Sequence, residues 1–186
     1  MKRFLKWTGF ASGAAGLGLV LYLVAIQLTG NFDVVVPGEA YRSSQPTPAD
    51  LATYAERYKI RTVINLRGRE EKATWYKNEA AAAKQLGLNL IDFPLRSSQR
   101  LDAKTANELV TILRDAPRPI LIHCRSGADR TGLASVIYLA RIAQVDEKTA
   151  ERQLSIRYGH FSLPFSPTYA MDESWEDMEA AAGTES

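Results

Sequence analysis

Cys124 is the only cysteine in a chain of 186 residues, and it stands in the run His123-Cys124-Arg125-Ser126-Gly127-Ala128-Asp129-Arg130-Thr131-Gly132. An apolar triplet, Ile120-Leu121-Ile122, comes before it, and Leu133, Val136, Ile137 and Leu139 follow at helical spacing. A strand, a tight loop and a helix start make a cradle for an anion, because free N–H groups and the helix dipole point into the loop. Consecutive N–H groups in such a turn form a nest for phosphate oxygens. Arg125, Ser126, Gly127, Ala128, Asp129 and Arg130 are therefore the expected phosphate-binding residues, with Gly127 and Gly132 admitting unusual dihedrals and close packing. At the mouth of the cradle the thiolate of Cys124 is the nucleophile, favoured by the dipole and by nearby arginine charge. Arg130, six residues on, can return its fork to the same anion and hold two phosphate oxygens at once. Thr131 can donate its hydroxyl to the sulfur and ease its departure, and His123 can orient the loop through its ring nitrogens. The chemistry is in-line phosphoryl transfer to sulfur, with the spreading negative charge met by fixed donors. A lone cysteine is more often an inert core residue, but this loop context is that of a reactive site.

The surrounding pattern must hold that loop in place. Residues 31–46 read as a linker and entry strand, broken by Pro and Gly, ahead of the core strands. Thr47-Pro48-Ala49-Asp50 is a helix start, with an N-cap hydroxyl, Pro in the first turn and an acid at N3. Thr62-Val63-Ile64-Asn65-Leu66 is a buried strand, Asn78 to Leu86 a helix closed by Gly87, and Leu88 to Phe93 a second strand stopped by Pro94. Asp102 caps a helix to about Arg114. Ile120 to Ile122 is a third strand, Thr131 to Ile142 a helix, and Lys148 to Tyr158 another, closed by Gly159. Strands alternating with helices predict an α/β domain whose central sheet is mainly parallel and flanked by helices. Trp75, Tyr76 and Trp175 are expected to be packing aromatics, and His160 a packing or capping residue.

HCRSGADRTG resembles the signature of the cysteine-dependent phosphatases, the protein-tyrosine and dual-specificity superfamily, with its pattern H-C-x5-R-[ST]. Tyr41-Arg42-Ser43-Ser44-Gln45-Pro46 and Thr62 to Arg67 are similar to the opening segment and first core strand of compact bacterial members. The resemblance covers about residues 37–160. It implies a dual-specificity-like fold, Cys124 as the phosphocysteine nucleophile, Arg130 as the phosphate clamp, Thr131 as the hydroxyl of the hydrolysis step, and no metal or other cofactor. Such enzymes usually take a general acid from an Asp some thirty residues before the Cys. Here the corresponding loop, Arg96-Ser97-Ser98-Gln99-Arg100, has no acid. Asp129 in the cradle is the first candidate, since Asp-Arg-Thr is similar to the signature loops of some phosphoinositide phosphatases. Asp92 is the second, and no acid at all the third. An ion pair with Arg125 or another nearby base explains Asp129 equally well.

Composition bounds the rest. With one Cys and two His there is no internal disulfide framework and no ligand set for structural zinc. A net charge of +2 is too small for a wholly basic nucleic-acid binder. The charge is unevenly placed: residues 29–171 hold 20 basic and 15 acidic residues, and 172–186 hold six acids and no base. No charge occurs between Lys6 and Asp33, and Phe10 to Ile26 is almost wholly apolar. With its flanks this run reaches the ~20 residues a membrane-spanning helix needs. A removable signal peptide is the rival reading, but the flank Gln27-Leu28-Thr29-Gly30 is a poor cleavage site. Lys2, Arg3 and Lys6 put the N-terminus inside and the domain on the non-cytoplasmic, periplasmic side of a single-pass anchor. The expected organisation is an anchor over 1–30, a linker over 31–46, a phosphatase domain over 47–170 and an acidic, solvated tail over 171–186. The expected substrate is a phosphorylated protein, with a phospholipid or phosphoinositide as the alternative and a non-catalytic phosphate-binding module as the third reading.

Overall fold

The computed structural model describes residues 2–183, with side chains at 13 and 16–181. A long helix, α1 (Lys2–Leu28), leads into β1 (Asp33–Val36), β2 (Ala40–Ser43), α2 (Pro48–Tyr58), β3 (Thr62–Asn65), α3 (Thr74–Leu86), β4 (Asn89–Asp92), α4 (Ala103–Asp115), β5 (Ile120–His123) and α5 (Asp129–Ile137). A short α6 (Glu147–Ala150) and α7 (Ala170–Gly183) complete the chain. The five strands lie in the order β1-β2-β5-β3-β4. β1 pairs with β2 antiparallel, and the other three pairings are parallel. The sheet is thus mixed, with a parallel body and one antiparallel edge.

Period-two alternation divides the core. Ile64, Ile120 and Ile122 face α4 and α5 with Leu109, Leu113, Leu133, Val136 and Ile137, all fully buried. Val63 and Leu121 face the other side, with Leu51, Tyr54 and Ala82 of α2 and α3. The parallel register sets one row across the carboxyl edge: Ser43 opposite His123, His123 opposite Asn65, and Asn65 opposite Asp92. Every loop that leaves this edge opens on the same side, where ligands of open α/β sheets bind.

The helix starts follow local chemistry. Thr47 and Asp50 form a reciprocal capping box on α2, and the Asp102 side chain accepts from Thr105 N–H at 2.7 Å. Some boundaries depart from the sequence pattern. α3 begins at Thr74, not Asn78, and α5 begins at Asp129, two residues ahead of the expected start. Past Ile137 the helix widens into a π turn over Tyr138–Ile142. The single helix expected over Lys148 to Tyr158 is instead α6 and two 3-10 turns, Glu151–Gln153 and Ile156–Tyr158. Packing explains the break: a Cβ on Gly132 would lie 2.7 Å from Leu154 Cδ1 and 3.0 Å from Gln153 O, so this segment presses directly on α5. The acidic tail, expected in solvent, packs as α7, with Met171 and Trp175 buried and Arg100 paired with Asp177.

The membrane span expected over Phe10 to Ile26 falls in part on side chains outside the described residues. Among the described residues no helix is long and apolar enough to cross a membrane. Leu17, Val20, Leu21 and Val24 of α1 are exposed. The end of α1 belongs to the domain: Tyr22 Oη donates to Arg157 O at 2.6 Å, and Leu23 and Ile26 lie against Gly159.

Candidate active site

The loop from His123 to Arg130 is held by its carbonyls. Gln45 N–H donates to Arg125 O at 3.2 Å. Asn31 Nδ2 and Gln27 Nε2 both donate to Ser126 O, at 2.9 and 3.0 Å. Arg42 Nη2 donates to Gly127 O at 2.6 Å. Across a trans peptide the C=O of one residue and the N–H of the next point opposite ways. Pinning the carbonyls of 125, 126 and 127 from outside therefore turns the N–H groups of 126, 127 and 128 away from those partners, that of Ala128 reaching the Ser126 hydroxyl oxygen at 3.4 Å. That is the nest a phosphate requires. Gly127 has φ +73, and a Cβ there would lie 2.8 Å from the backbone of Ser43 and Ser44, so only glycine fits.

Arg42 carries the tightest of these pins. It is fully buried at the end of β2, its Nη1 reaches Gln153 O at 2.7 Å, and its guanidinium lies 3.6 Å from the Tyr158 ring centroid. Burial pushes it down to about 10, while the charges of Tyr158 and Cys124 pull the other way. Asn31 is 6% exposed in a left-handed backbone (φ 45), and its Nδ2 also donates to Tyr158 O at 2.9 Å. Arg42, Gln45, Asn31 and Gln27 carry no motif of their own. The one sequence signal for Arg42 and Gln45 is their place in the opening segment Tyr41 to Pro46.

Cys124 sits at the carboxyl end of β5 beneath this cradle and is 1% exposed. His123 beside it is fully buried. Its Nδ1 is 3.4 Å from Cys124 O, and its Nε2 lies 2.6 Å from Glu79 Oε1 on α3, an ion-pair distance without hydrogen-bond alignment. The Thr131 hydroxyl, in the first turn of α5, is buried with no hydrogen-bond partner among the described residues. An orphaned donor at that place is available to a sulfur or a phosphoryl oxygen. Arg130 Nη1 donates to Leu66 O and Leu95 O, both at 3.2 Å, which aims the fork and leaves its other N–H groups to an anion. Arg125 is exposed at the rim.

The two acid candidates have different surroundings. Asp92 closes β4, where Oδ1 accepts from Asn65 Nδ2 at 2.8 Å and Oδ2 from Tyr76 Oη at 2.5 Å. Burial and this bond hold the Tyr76 phenol up at about 12. Asp129 opens α5, and its Oδ1 lies 2.8 Å from His160 Nδ1. The base beside Asp129 is thus His160 and not Arg125. His160 Nε2 reaches Asp172 Oδ2 at 2.8 Å, so the imidazole bridges the cradle to α7. Burial alone would lower His160, but its bonds to Asp129 and Asp172 outweigh that and leave it raised. His160 is a buried bridge, a role that one residue with no spacing partner does not reveal in sequence.

The profile of the Tyrosine phosphatase family matches residues 27–153. The inositol diphosphatase SIW14 of Saccharomyces cerevisiae is 31% identical over 107 residues, which cover 55% of this chain and 36% of that protein. This chain thus matches about a third of the yeast protein's length. Solved structures share the fold, among them the following two. The core catalytic domain of the SIW14 PP-IP phosphatase from S. cerevisiae, in complex with citrate, has a TM-score of 0.62 at 20% identity, covering 83% of this chain and 91% of that one. P. aeruginosa TpbA has a TM-score of 0.59 at 22% identity, covering 81% and 92%. A cysteine and an arginine set in one cradle, on a fold of this kind and within a profile that spans most of the domain, place the chain in the tyrosine phosphatase family.

Proposed function

We propose that this chain hydrolyses phosphomonoesters through a phosphocysteine intermediate. The observation that carries the reading is the cradle: three successive carbonyls pinned outward, above a buried cysteine at the end of β5. The Cys124 thiolate attacks phosphorus in line. The S–P bond forms, the P–O bond to the leaving group breaks, and that oxygen takes up a proton. Water then attacks the phosphocysteine, the S–P bond breaks, phosphate leaves, and the thiolate is restored with the Thr131 hydroxyl as its donor. Arg130 and the inward N–H groups meet the charge on the equatorial oxygens in both steps. For the leaving-group proton Asp129 is the better placed acid. Both oxygens of Asp92 already have partners, whereas Asp129 has one oxygen on His160 and a side chain 21% exposed.

Two substrate classes fit this chemistry. The first is a phosphotyrosine- or dual-specificity protein substrate, as the family name suggests. The second is an inositol phosphate, free or as a phosphoinositide, supported by the identity to an inositol diphosphatase and by Arg125 at the rim. Phosphate release by the full chain from phosphotyrosine peptide and from inositol phosphates, side by side, separates them. Absence of release from either, and from an aryl phosphate, overturns the phosphocysteine reading.

The apolar run that begins at Phe10, with the basic residues before it, supports a membrane anchor that holds the domain on the non-cytoplasmic side, while its last residues, Tyr22 to Ile26, pack on the domain. Extraction of the full chain by alkaline carbonate would contradict anchoring. Protection of the domain from protease added outside spheroplasts would contradict the orientation.

A further inference from the structure

The C-terminal end of α1 meets the domain beside the phosphate loop, and its contacts reach that loop by two routes. The first is direct. Gln27 Nε2 donates to Ser126 O at 3.0 Å, next to Asn31 Nδ2 at 2.9 Å. A carbonyl oxygen has two lone pairs, and here both are used, so the peptide that joins Ser126 to Gly127 is held in one orientation. That peptide carries the Gly127 N–H, at the residue of the loop whose φ is positive.

The second route runs through the segment 156–159. Tyr22 Oη donates to Arg157 O at 2.6 Å. A Cβ on Gly159 would lie 3.6 Å from both Leu23 Cδ2 and Ile26 Cδ1, and 3.9 Å from Ala128 Cβ of the loop. Gly159 is thus sandwiched between α1 and the loop. Beside it, the Tyr158 ring lies 3.6 Å from the Arg42 guanidinium, whose Nη2 holds Gly127 O. Asn31 Nδ2 joins the two routes, since it donates to Tyr158 O as well as to Ser126 O.

A tether needs none of this. A flexible linker would leave helix and domain free to turn against each other. Here α1 runs straight into the domain: Asn31 N–H donates to Ile26 O at 2.6 Å, and Gly30 O accepts from Ser44 N–H at 2.7 Å. The family profile begins at residue 27, so Tyr22, Leu23 and Ile26 lie outside the residues it matches.

We infer that α1 is part of the active-site scaffold of this chain, with Gln27 and Tyr22 as positioning residues that hold the Ser126–Gly127 peptide in its anion-binding orientation. The helix stays with the working enzyme, because a chain that began at Asn31 would lose one of the two donors on Ser126 O and every α1 contact on Gly159. Oxyanion affinity depends on where α1 lies. Cys124 at the end of β5, and Arg130 on Leu66 O and Leu95 O, are aimed without it. This inference goes beyond the phosphocysteine reading and requires only that the loop bind an oxyanion.

The test uses the full chain in detergent. Gln27→Met keeps the length and removes the donor, Tyr22→Phe removes one hydroxyl, and Val20→Ser on the exposed side of the same helix is the control. Rates are measured on para-nitrophenyl phosphate, with tungstate, a tetrahedral oxyanion, as competitive inhibitor. Gln27→Met should raise both KM and the tungstate inhibition constant about three- to tenfold, Tyr22→Phe about twofold and Val20→Ser neither, with every kcat within about twofold of wild type. Unchanged KM and tungstate inhibition in Gln27→Met overturn the inference. So does a loss confined to kcat or to the urea unfolding midpoint, or an equal shift in Val20→Ser. Calorimetric titration of tungstate into Cys124→Ser, with and without Gln27→Met, reads the loop without turnover. If the wild type releases no phosphate, the phosphocysteine reading fails and this titration still decides. Weaker binding with Gln27→Met supports the scaffold, whereas equal binding, or none in either form, overturns it.

Discussion

Two neighbouring strands, β5 and β4, end at the same edge of the sheet and are finished very differently. Beyond β5 the chain turns into a loop whose carbonyls are pinned by Gln45, Asn31, Gln27 and Arg42, partners drawn from four places before β3. Beyond β4 the chain runs through Pro94 to a largely exposed stretch, 96–100, with no acid, while Asp92 at the strand end is occupied by Asn65 and Tyr76. The contrast teaches that binding and charge stabilisation are preorganised here, whereas delivery of a proton to the leaving group is not built at the usual place. Under the proposed mechanism the chain should bind its phosphate firmly and be sensitive to the leaving group.

The largest expected effects lie between the end of β5 and the first turn of α5. Cys124→Ser should lower kcat on an aryl phosphate by about 10⁴-fold or more. Turnover that survives the change would remove Cys124 from the mechanism. Arg130→Lys should lower kcat by about 10²- to 10³-fold, since a point charge cannot match the fork on two equatorial oxygens. A loss of only a few-fold would mean that the inward N–H groups hold the phosphate alone.

The acids come next. Asp129→Asn should cost about 10²-fold on an alkyl phosphate and much less on para-nitrophenyl phosphate, whose leaving group needs no proton. Asp92→Asn should leave that leaving-group dependence unchanged. The reverse pattern would return the acid to the end of β4 and erase the contrast between the two strands.

Pins are worth less than the groups they aim. Asn31→Ala strips one donor from Ser126 O and the donor from Tyr158 O, and should cost about 1–3 kcal/mol in urea unfolding together with a raised KM. Unchanged KM at reduced stability would make Asn31 a structural residue only.

The smallest effect is the pH dependence of the His160 bridge. His160 is raised in the folded chain from its usual 6.5. Its contribution is therefore fully present below 6.5 and lost as pH rises through the higher folded value. Wild-type stability should fall across that window, and His160→Gln should flatten the fall. An identical slope in both proteins would show that the bridge does not gain a proton on folding.

Much of this architecture is legible in local chemistry. The β-branched run Thr62 to Asn65, the capping box at Thr47, the N-cap at Asp102, and the strand-loop-helix around Cys124 are each encoded within a few residues, because propensity, capping and phosphate nests depend on near neighbours. The break after Ala150 is not, since it follows from Leu154 and Gln153 pressing on Gly132, a contact across the fold. For the same reason the acidic tail reads as a solvated helix end, whereas α7 buries Met171 and Trp175 in the core.

The site divides along the same line. Sequence by itself determined which atoms can do the chemistry: one thiol, an arginine six residues on, and a hydroxyl after it, all within one loop of the chain. Only the tertiary structure decided what aims and charges them. Arg42, Asn31 and Gln27 reach the loop from 85 to 99 residues away, Arg67 meets Trp75 and Gln45 beside it, and His160 ties Asp129 to Asp172. Those partners act through hydrogen bonds and stacked charge, which require contact in space and impose no spacing on the chain.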